Sequence, residues 1–277
     1  AAARIDAPAK INLGLELLGR RSDGYHEIRT VMAMVGLWDR LEVARVTGGA
    51  CDAVAGMDLG GECNLIAEAC HVYRAASGFR EGVQIYVTKH IPIAGGLGGA
   101  SADGAATLLT LDSLNDGGNR LGRDRLMDLA SELGSDVPFF LGSPLALAAG
   151  TGTTLAPLPP LRATWHAVLA SPAIDLPRKT ATLYGAITPP DYADGSRAEA
   201  IAAALRSGAI PDFGPDLLAN PFRIAWTRLG DPVAPVEEAM LRAGAAWVAL
   251  SGAGPTVYTL TDDAERAEAI AARLRER

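Results

Sequence analysis

Residues 83–102 read VQIYVTKHIPIAGGLGGASA, and their second half, PIAGGLGGASA at 92–102, decides the reading of the fold. Apolar alternation from Val83 to Lys89 predicts a strand, and the alanine- and leucine-rich run from about Ser101 predicts a helix. Between them stand glycines at 95, 96, 98 and 99. Glycine permits positive φ and removes the Cβ atoms that would hold a phosphate away from backbone N–H groups. The helix that follows adds its unpaired N–H groups and positive dipole end. Together these form an anion cradle suited to a triphosphate, with Ser101 able to cap the helix, meet a phosphate or reach its Mg²⁺. A flexible turn ended by an ordinary serine cap fits the glycines equally well. Two other phosphate motifs are excluded. No lysine follows the glycines as in a P-loop, and Ser101 stands where a dinucleotide fingerprint requires its third glycine.

Outward from the loop, 277 residues are long for one domain and comfortable for two. A formal charge of −7 excludes a general nucleic-acid or membrane-surface binder, which needs a basic face. Lys10, Lys89 and Lys179 are the only lysines, so a lysine inside a motif is informative. Cys51, Cys63 and Cys70 are odd in number, lack metal-like spacing and fit a reduced, cytoplasmic protein, with Cys63 and Cys70 expected to be packing residues. The start, AAARIDAPAK, has no long apolar core of a signal peptide. Val137 to Leu161 is uncharged and long enough to span a bilayer, but its prolines and glycines break it into short buried elements and a turn-rich exit.

The first ninety residues read mainly as β. Ile11, Leu13, Leu15 and Leu17 alternate as in a half-buried strand, and further strands are expected at 25–35, 40–46 and 83–89, with a turn at Gly36–Asp39. Asn64 to Ser77 has helical spacing and a terminating Gly78. A helix is expected over Asp124–Leu133, then others near 180–187, 197–207, 216–229, 233–243 and 263–276. These mix with strands near 165–170, 246–251 and 256–260, an α+β pattern. The Pro157–Pro160 cluster sets a boundary between domains 1–157 and 158–277.

Three segments occur in a telling order: APAKINLGLELLGRRSDGYHEIRTV at 7–31, PIAGGLGGASADGAA at 92–106 and LSGAGPTVY at 250–258. They resemble the three motifs of the GHMP kinases. The first segment, joined with GSDVPFFL at 134–141, resembles the branch of that family that phosphorylates a cytidine diphosphate-linked alcohol in non-mevalonate isoprenoid synthesis. The resemblance implies a two-domain α+β fold. Its N-terminal domain carries a left-handed βαβ crossover, an exception to the usual hand, its C-terminal domain is ferredoxin-like, and the active site lies in the cleft between them. It implies ATP with Mg²⁺ as donor and a small-molecule acceptor, with no nucleic acid or membrane partner.

By position, the resemblance makes Lys10 and Asp136 the catalytic pair. Aspartate is a weak base for an alcohol, but in a loose transition state the proton leaves late and positioning matters more. Lys10 would stabilise charge on the transferring phosphoryl group. Taken alone, Asp136 reads as a turn or cap residue and Lys10 as a strand-edge lysine. Pro92, Ile93, Ala94, Gly95, Gly96, Leu97, Gly98, Gly99, Ala100, Ser101 and Ala102 would hold the triphosphate, and Asn64 would line the adenine pocket, though it is also a good helix N-cap. Asn12, Tyr25 and His26 resemble the family's acceptor site: Tyr25 offers a face to the pyrimidine, His26 a hydrogen-bonding edge and Asn12 a polar contact. Thr180 and Tyr184 match a further polar contact and an opposing aromatic wall. Ser251 to Gly254 would be a tight turn near the substrate.

The chain departs from the usual GGLGGGSSDAA. Ala100 replaces a glycine, which a negative φ tolerates, Ala102 replaces a serine, and Gly104 sits where alanine is usual, at about 1 kcal/mol of helix propensity. Asn220-Pro221-Phe222 replaces an Asn-Asp pair. A valine at Gly98 is expected to block the phosphates without unfolding the protein. Two other functions fit the same motifs, a homoserine- or mevalonate-type kinase and a catalytically silent ATP-binding relative. Tyr25-His26 argues against the first, and retention of Lys10 and Asp136 against the second.

Overall fold

A computed structural model describes residues 2–46, 53–55, 64–115 and 119–276. Cys51 and Cys63 lie outside the described residues; Cys70 is buried, as a packing residue should be. Contacts divide the chain into two compact units: Ala1–Lys10, Met34–Ile93 and Gly98–Ser143 form unit 1, and Ile11–Ala33, Ala94–Leu97 and Pro144–Arg277 form unit 2.

Two long strands, β1 (Ala2–Arg20) and β2 (His26–Val46), contribute to both units. In unit 1, the second half of β2 pairs antiparallel with β4 (Gly82–Thr88), from Arg40 opposite Thr88 to Val46 opposite Gly82. The short β3 (Ala53–Ala55) runs parallel to β4 on its other side. Helices α1 (Leu65–Ser77), α2 (Gly99–Leu114), α3 (Gly122–Leu133) and α4 (Val137–Leu141) pack together. Helix α1 has the expected ends: the Asn64 side chain accepts from the backbone N–H groups of Ile66 and Ala67, and Gly78 is left-handed. Helix α2 is buried along most of its length, so small residues are needed on it. A Cβ on Gly104 would lie 3.3 Å from Leu65 Cβ. Glycine there allows α1 and α2 to approach, which offsets its poor propensity.

In unit 2, the first half of β2 pairs with β5 (Leu145–Gly150), which pairs with β6 (Thr154–Pro157), all antiparallel. The run 137–161 is thus a short helix, two strands and an irregular exit, as expected. A second sheet has the order β7 (His166–Ala170), β9 (Val257–Thr261), β8 (Ala249–Leu250). Around it stand α5 (Lys179–Gly185), α6 (Ser196–Ser207), α7 (Pro221–Arg228), α8 (Ala234–Arg242) and α9 (Ala264–Arg275). Leu15, Leu17, Leu183, Phe222, Trp226, Met240 and Val257 belong to its core. No helix among the described residues is long and apolar enough to cross a membrane.

Four expectations need correction. No turn falls at Gly36–Asp39: β2 runs through it, and Asp39 is fully buried in the strand. Helix α7 begins only at Pro221, because Asn220 caps it and proline suits a first turn. β8 is only two residues long, against the strand expected over 246–251. β1 is not half-buried, since Lys10, Asn12 and Glu16 are buried along with the alternating leucines.

Asp39 is held in a buried polar network within unit 1. Its Oδ1 accepts from the N–H groups of His90 (2.6 Å) and Ile91 (2.8 Å), and its Oδ2 meets the Lys89 ammonium. Lys89 also donates to Asp103 Oδ2 at 2.7 Å, in the first turns of α2. Burial opposes the charge on Lys89, but the two carboxylates outweigh it and raise its pKa. Burial pushes the Asp103 carboxyl up to about 6 against the pull of Lys89, with the Asp39 carboxylate adding to the rise. Asp103 Oδ1 has no hydrogen-bond partner, which is where that burial cost falls.

The native state therefore holds the Asp103 proton more tightly than the unfolded chain, with its ordinary value of 3.8. The resulting stabilisation is complete below that value and is lost as pH rises through about 6. Asp103→Asn lacks this titration. Between about pH 4 and pH 7, wild type should lose on the order of 2–3 kcal/mol relative to the variant. Urea unfolding of both proteins across that range checks it; a difference that stays flat, or moves the other way, rejects a raised Asp103.

Candidate active site

The sequence leaves Lys10 and Asp136 far apart; unit 1 brings them together. Lys10 lies on β1 and is only 4% exposed, so it is not a solvent-facing lysine. Its Nζ sits 3.4 Å from Asp136 Oδ2. Asp136 directly precedes α4, yet its side chain makes no capping hydrogen bond, and the carboxylate faces Lys10 with about a third of its surface open. The plain cap role is thereby excluded.

The glycine loop adjoins this pair. Gly98 is left-handed, at φ 72°, and is the N-cap of α2. Ala100 and Ser101 lie inside the helix, so Ser101 is not its cap and the Ala100 methyl is tolerated. No side chain caps α2, and its first helical bond runs from Ala102 N–H to Gly98 O, which leaves the N–H groups of its first turn unpaired within the helix. A Cβ on Gly98 would lie 2.9 Å from the Phe140 ring and 3.1 Å from Lys10 Cγ. The missing side chain therefore also makes room for the lysine stem.

In unit 2, the segment Ala94–Leu97 is tied to the turn at 251–254. Ser251 Oγ donates to Gly96 O and Thr256 N–H to Gly95 O, both at 3.1 Å. A Cβ on Gly96 would come within 2.4 Å of Ser251 O. The turn is itself held by Asn220, whose Nδ2 donates to Leu250 O (3.1 Å) and Gly252 O (2.8 Å), and by Trp226 Nε1, which donates to Ala253 O (3.0 Å). Asn220 thus has a structural task with no acid beside it.

The acceptor candidates also fall in unit 2. Asp23 Oδ1 accepts from Tyr25 N–H at 3.0 Å, and Gly24 is left-handed; this turn between β1 and β2 projects Tyr25 with 67% of its surface exposed. His26 stacks on Tyr184, with ring centroids 4.7 Å apart and planes 21° apart, and Tyr192 tilts against the same imidazole at 6.1 Å. The far side of Tyr184 meets the Phe222 ring. Burial, then the nearby Arg20 cation, lowers the His26 pKa, which favours neutral imidazole. Asn12 is buried, its Nδ2 donating to Thr30 Oγ1 at 3.1 Å and its backbone carbonyl accepting from Tyr258 hydroxyl at 2.7 Å. Thr180 is exposed on α5. Asn64 Oδ1 is committed to the α1 cap. Tyr192 and the Asp39–Lys89–Asp103 network had no role in the sequence reading; the scarcity of lysine was the available signal for the second.

A glycine loop leading into an uncapped helix, beside a lysine–aspartate pair, defines a small-molecule kinase of the GHMP class. The family model for the GHMP kinases N terminal domain matches residues 64–143, and that for the GHMP kinases C terminal matches 201–277. A 4-diphosphocytidyl-2-C-methyl-D-erythritol kinase of Pelotomaculum thermopropionicum is 42% identical, over 97% of this chain and 92% of that one. One of Shouchella clausii is 40% identical over 98% and 90%. A solved 4-(cytidine 5'-diphospho)-2C-methyl-D-erythritol kinase superposes with a TM-score of 0.81 at 35% identity, covering 99% of this chain and 96% of its own. A homoserine kinase from Cytophaga hutchinsonii (TM-score 0.66, 19% identity, 99% and 90% covered) shares the fold. The chain belongs to the 4-diphosphocytidyl-2-C-methyl-D-erythritol kinase family of the GHMP kinases.

The surroundings of Gly98 add a stability cost to the effect expected of valine there. Gly98→Val should lower stability by roughly 1–3 kcal/mol through overpacking against Phe140 and Lys10, and should weaken ATP binding as well. Thermal melts with and without ATP separate the effects. An unchanged melting temperature rejects the packing argument, and unchanged ATP binding reduces the loop to a structural turn.

Proposed function

We propose that this protein transfers the terminal phosphoryl group of ATP to the 2-hydroxyl of 4-diphosphocytidyl-2-C-methyl-D-erythritol. The observation that carries the reading is the 3.4 Å approach of Lys10 Nζ to Asp136 Oδ2. It puts a cation and a carboxylate side by side, one for charge on the transferring group and one for the proton of the attacking alcohol. The names of the similar proteins support the choice of acceptor.

Each group then has a task. The N–H groups of the glycine loop and the start of α2 bind the phosphates, and Asn64 Nδ2 offers a donor to the adenine. The Ser101 hydroxyl would help hold Mg²⁺, which would supply positive charge to the phosphates. Asp136 accepts the hydroxyl proton, and Lys10 keeps the carboxylate in position. Tyr25, with its ring open to solvent, stacks on the cytosine. His26, with one face covered by Tyr184, keeps its ring edge for the polar edge of the base; Tyr184 serves as backing for His26 and less as a second wall. Asn12 and Thr180 supply polar contacts toward the alcohol.

Incubation with ATP, Mg²⁺ and separate candidate alcohols tests the proposal. The cytidine diphosphate-linked alcohol should be phosphorylated in strong preference to homoserine or mevalonate; equal turnover of a nucleobase-free alcohol removes the cytidyl reading and leaves a general GHMP kinase. Asp136→Asn should lower kcat by about 10²-fold or more while ATP affinity stays within about threefold. A kcat within about threefold of wild type (under about 1 kcal/mol of barrier) would end the assignment of Asp136 as base.

Tyr25→Ala should raise acceptor KM by about one to two orders of magnitude, since base stacking is worth about 1–3 kcal/mol, and hardly move ATP KM. His26→Ala should relax discrimination between the cytidine and uridine forms of the acceptor. Steady-state kinetics with each substrate varied in turn reads both, and an unchanged acceptor KM in Tyr25→Ala removes the stacking role.

A further inference from the structure

Lys179 is one of only three lysines in the chain, and its contacts in unit 2 give it a structural role. Its ammonium donates to the carbonyl oxygens of Ala94 and Gly254. Ala94 is the start of the glycine-loop segment in unit 2 and has a left-handed backbone, at φ 55°. Gly254 ends the turn whose Ser251 is bonded to Gly96, and Thr256 just beyond it is bonded to Gly95. Lys179 is also the first residue of α5, whose Thr180 and Tyr184 stand at the acceptor candidates, Tyr184 stacked under His26. The residue before it, Arg178, is left-handed at φ 46°, so the chain enters the helix by a sharp bend that directs Lys179 to the loop. One side chain thus joins the nucleotide loop, the turn that braces it and the helix behind the aromatic pair.

We infer that Lys179 is a positioning residue that couples the two substrates: nucleotide bound on the loop favours the α5 placement that the acceptor needs, and acceptor bound against α5 favours the loop placement that ATP needs. This rests on the ATP and cytidyl assignments proposed above. A charged donor shared between two carbonyls is stronger than a neutral one, and it can act differently on the bound and free states only if loop and helix shift together. Coupling between sites is reciprocal, so the same factor must appear whichever ligand is added first. Typical factors are about 5- to 150-fold, and about tenfold is expected here.

The test is calorimetric titration of the full chain with a non-hydrolysable ATP analogue, with and without the cytidine diphosphate-linked acceptor, and the reverse order. In wild type each ligand should tighten the other about tenfold. In Lys179→Met each ligand alone should bind within about threefold of wild type, while the coupling falls below about twofold. Lys179→Arg, which still reaches two carbonyls with charged donors, should keep most of it. A strut that merely holds the fold would instead lower the melting temperature and weaken both ligands equally, with the coupling factor unchanged. That outcome overturns the inference, as does wild type that phosphorylates the acceptor yet binds the two ligands independently. Should Lys179→Met fail to fold, Lys179→Gln and Lys179→Arg decide: coupling that is kept in the neutral variant as fully as in the charged one rejects a role for the ammonium. Wild type that binds ATP but not the cytidyl acceptor removes the functional reading itself, and this inference with it.

Discussion

The glycine loop is anchored to its strand and to its helix by one buried cation. Lys89 leaves the end of β4 and is held between Asp39 on β2 and Asp103 on α2. The loop between strand and helix is rich in glycine, which loses more conformational freedom on ordering than any other residue. Asp39 fixes the chain on the entry side by taking the N–H groups of His90 and Ile91. Asp103 fixes the exit side. A buried ion pair is a poor source of net stability, since desolvation consumes most of its attraction. Its value here is geometric: without Lys89 the two carboxylates would be buried with no cation between them, so the arrangement depends on that one side chain.

Economy of space also explains how Lys10 and Asp136 can pair. Lys10 reaches Asp136 with its stem in the room left by the absent side chain of Gly98, against the Phe140 ring. The Phe139–Phe140 pair in turn lies on α4, the short helix that begins just after Asp136. Glycine at 98 therefore meets two demands, a left-handed backbone at the start of α2 and a void for a lysine. The first is foreseeable from the motif. The second depends on which residues pack beneath it.

Much of this was legible in the chain. The loop, the Asn64 cap, the Gly78 stop and most helices follow from local rules, because caps and periodicity act within a few residues. The reading failed where tertiary context decided. Gly36 and Asp39 look like a turn, but the carboxylate is drawn into the strand by Lys89, fifty positions on in the sequence. Along β1 the alternation of Ile11, Leu13, Leu15 and Leu17 is plain, and the polar residues between them read as solvent-facing. Lys10, Asn12 and Glu16 are instead buried. Glu16 meets the N–H of Ala198 at the start of α6, Asn12 meets Thr30, and Lys10 meets Asp136. Nothing within a few residues of any of them announces its partner.

The two sets of candidate site residues differ in how they are held, and the difference suits the tasks proposed for them. Lys10 is almost wholly buried, with its stem packed and its charge opposed by a carboxylate. Groups that act on developing charge are effective only when they need no rearrangement at the moment of reaction, and burial supplies that. Tyr25 is the reverse, an aromatic ring left largely in water on a turn fixed by Asp23. A stacking platform must present a bare π-face, so it can be rigid at its backbone but not covered. His26 stands between these extremes: Tyr184 fixes its plane, and its edge remains for hydrogen bonding. The buried pair is constrained by the packing around Gly98 and Phe140, whereas the exposed Tyr25 ring is constrained only at its backbone.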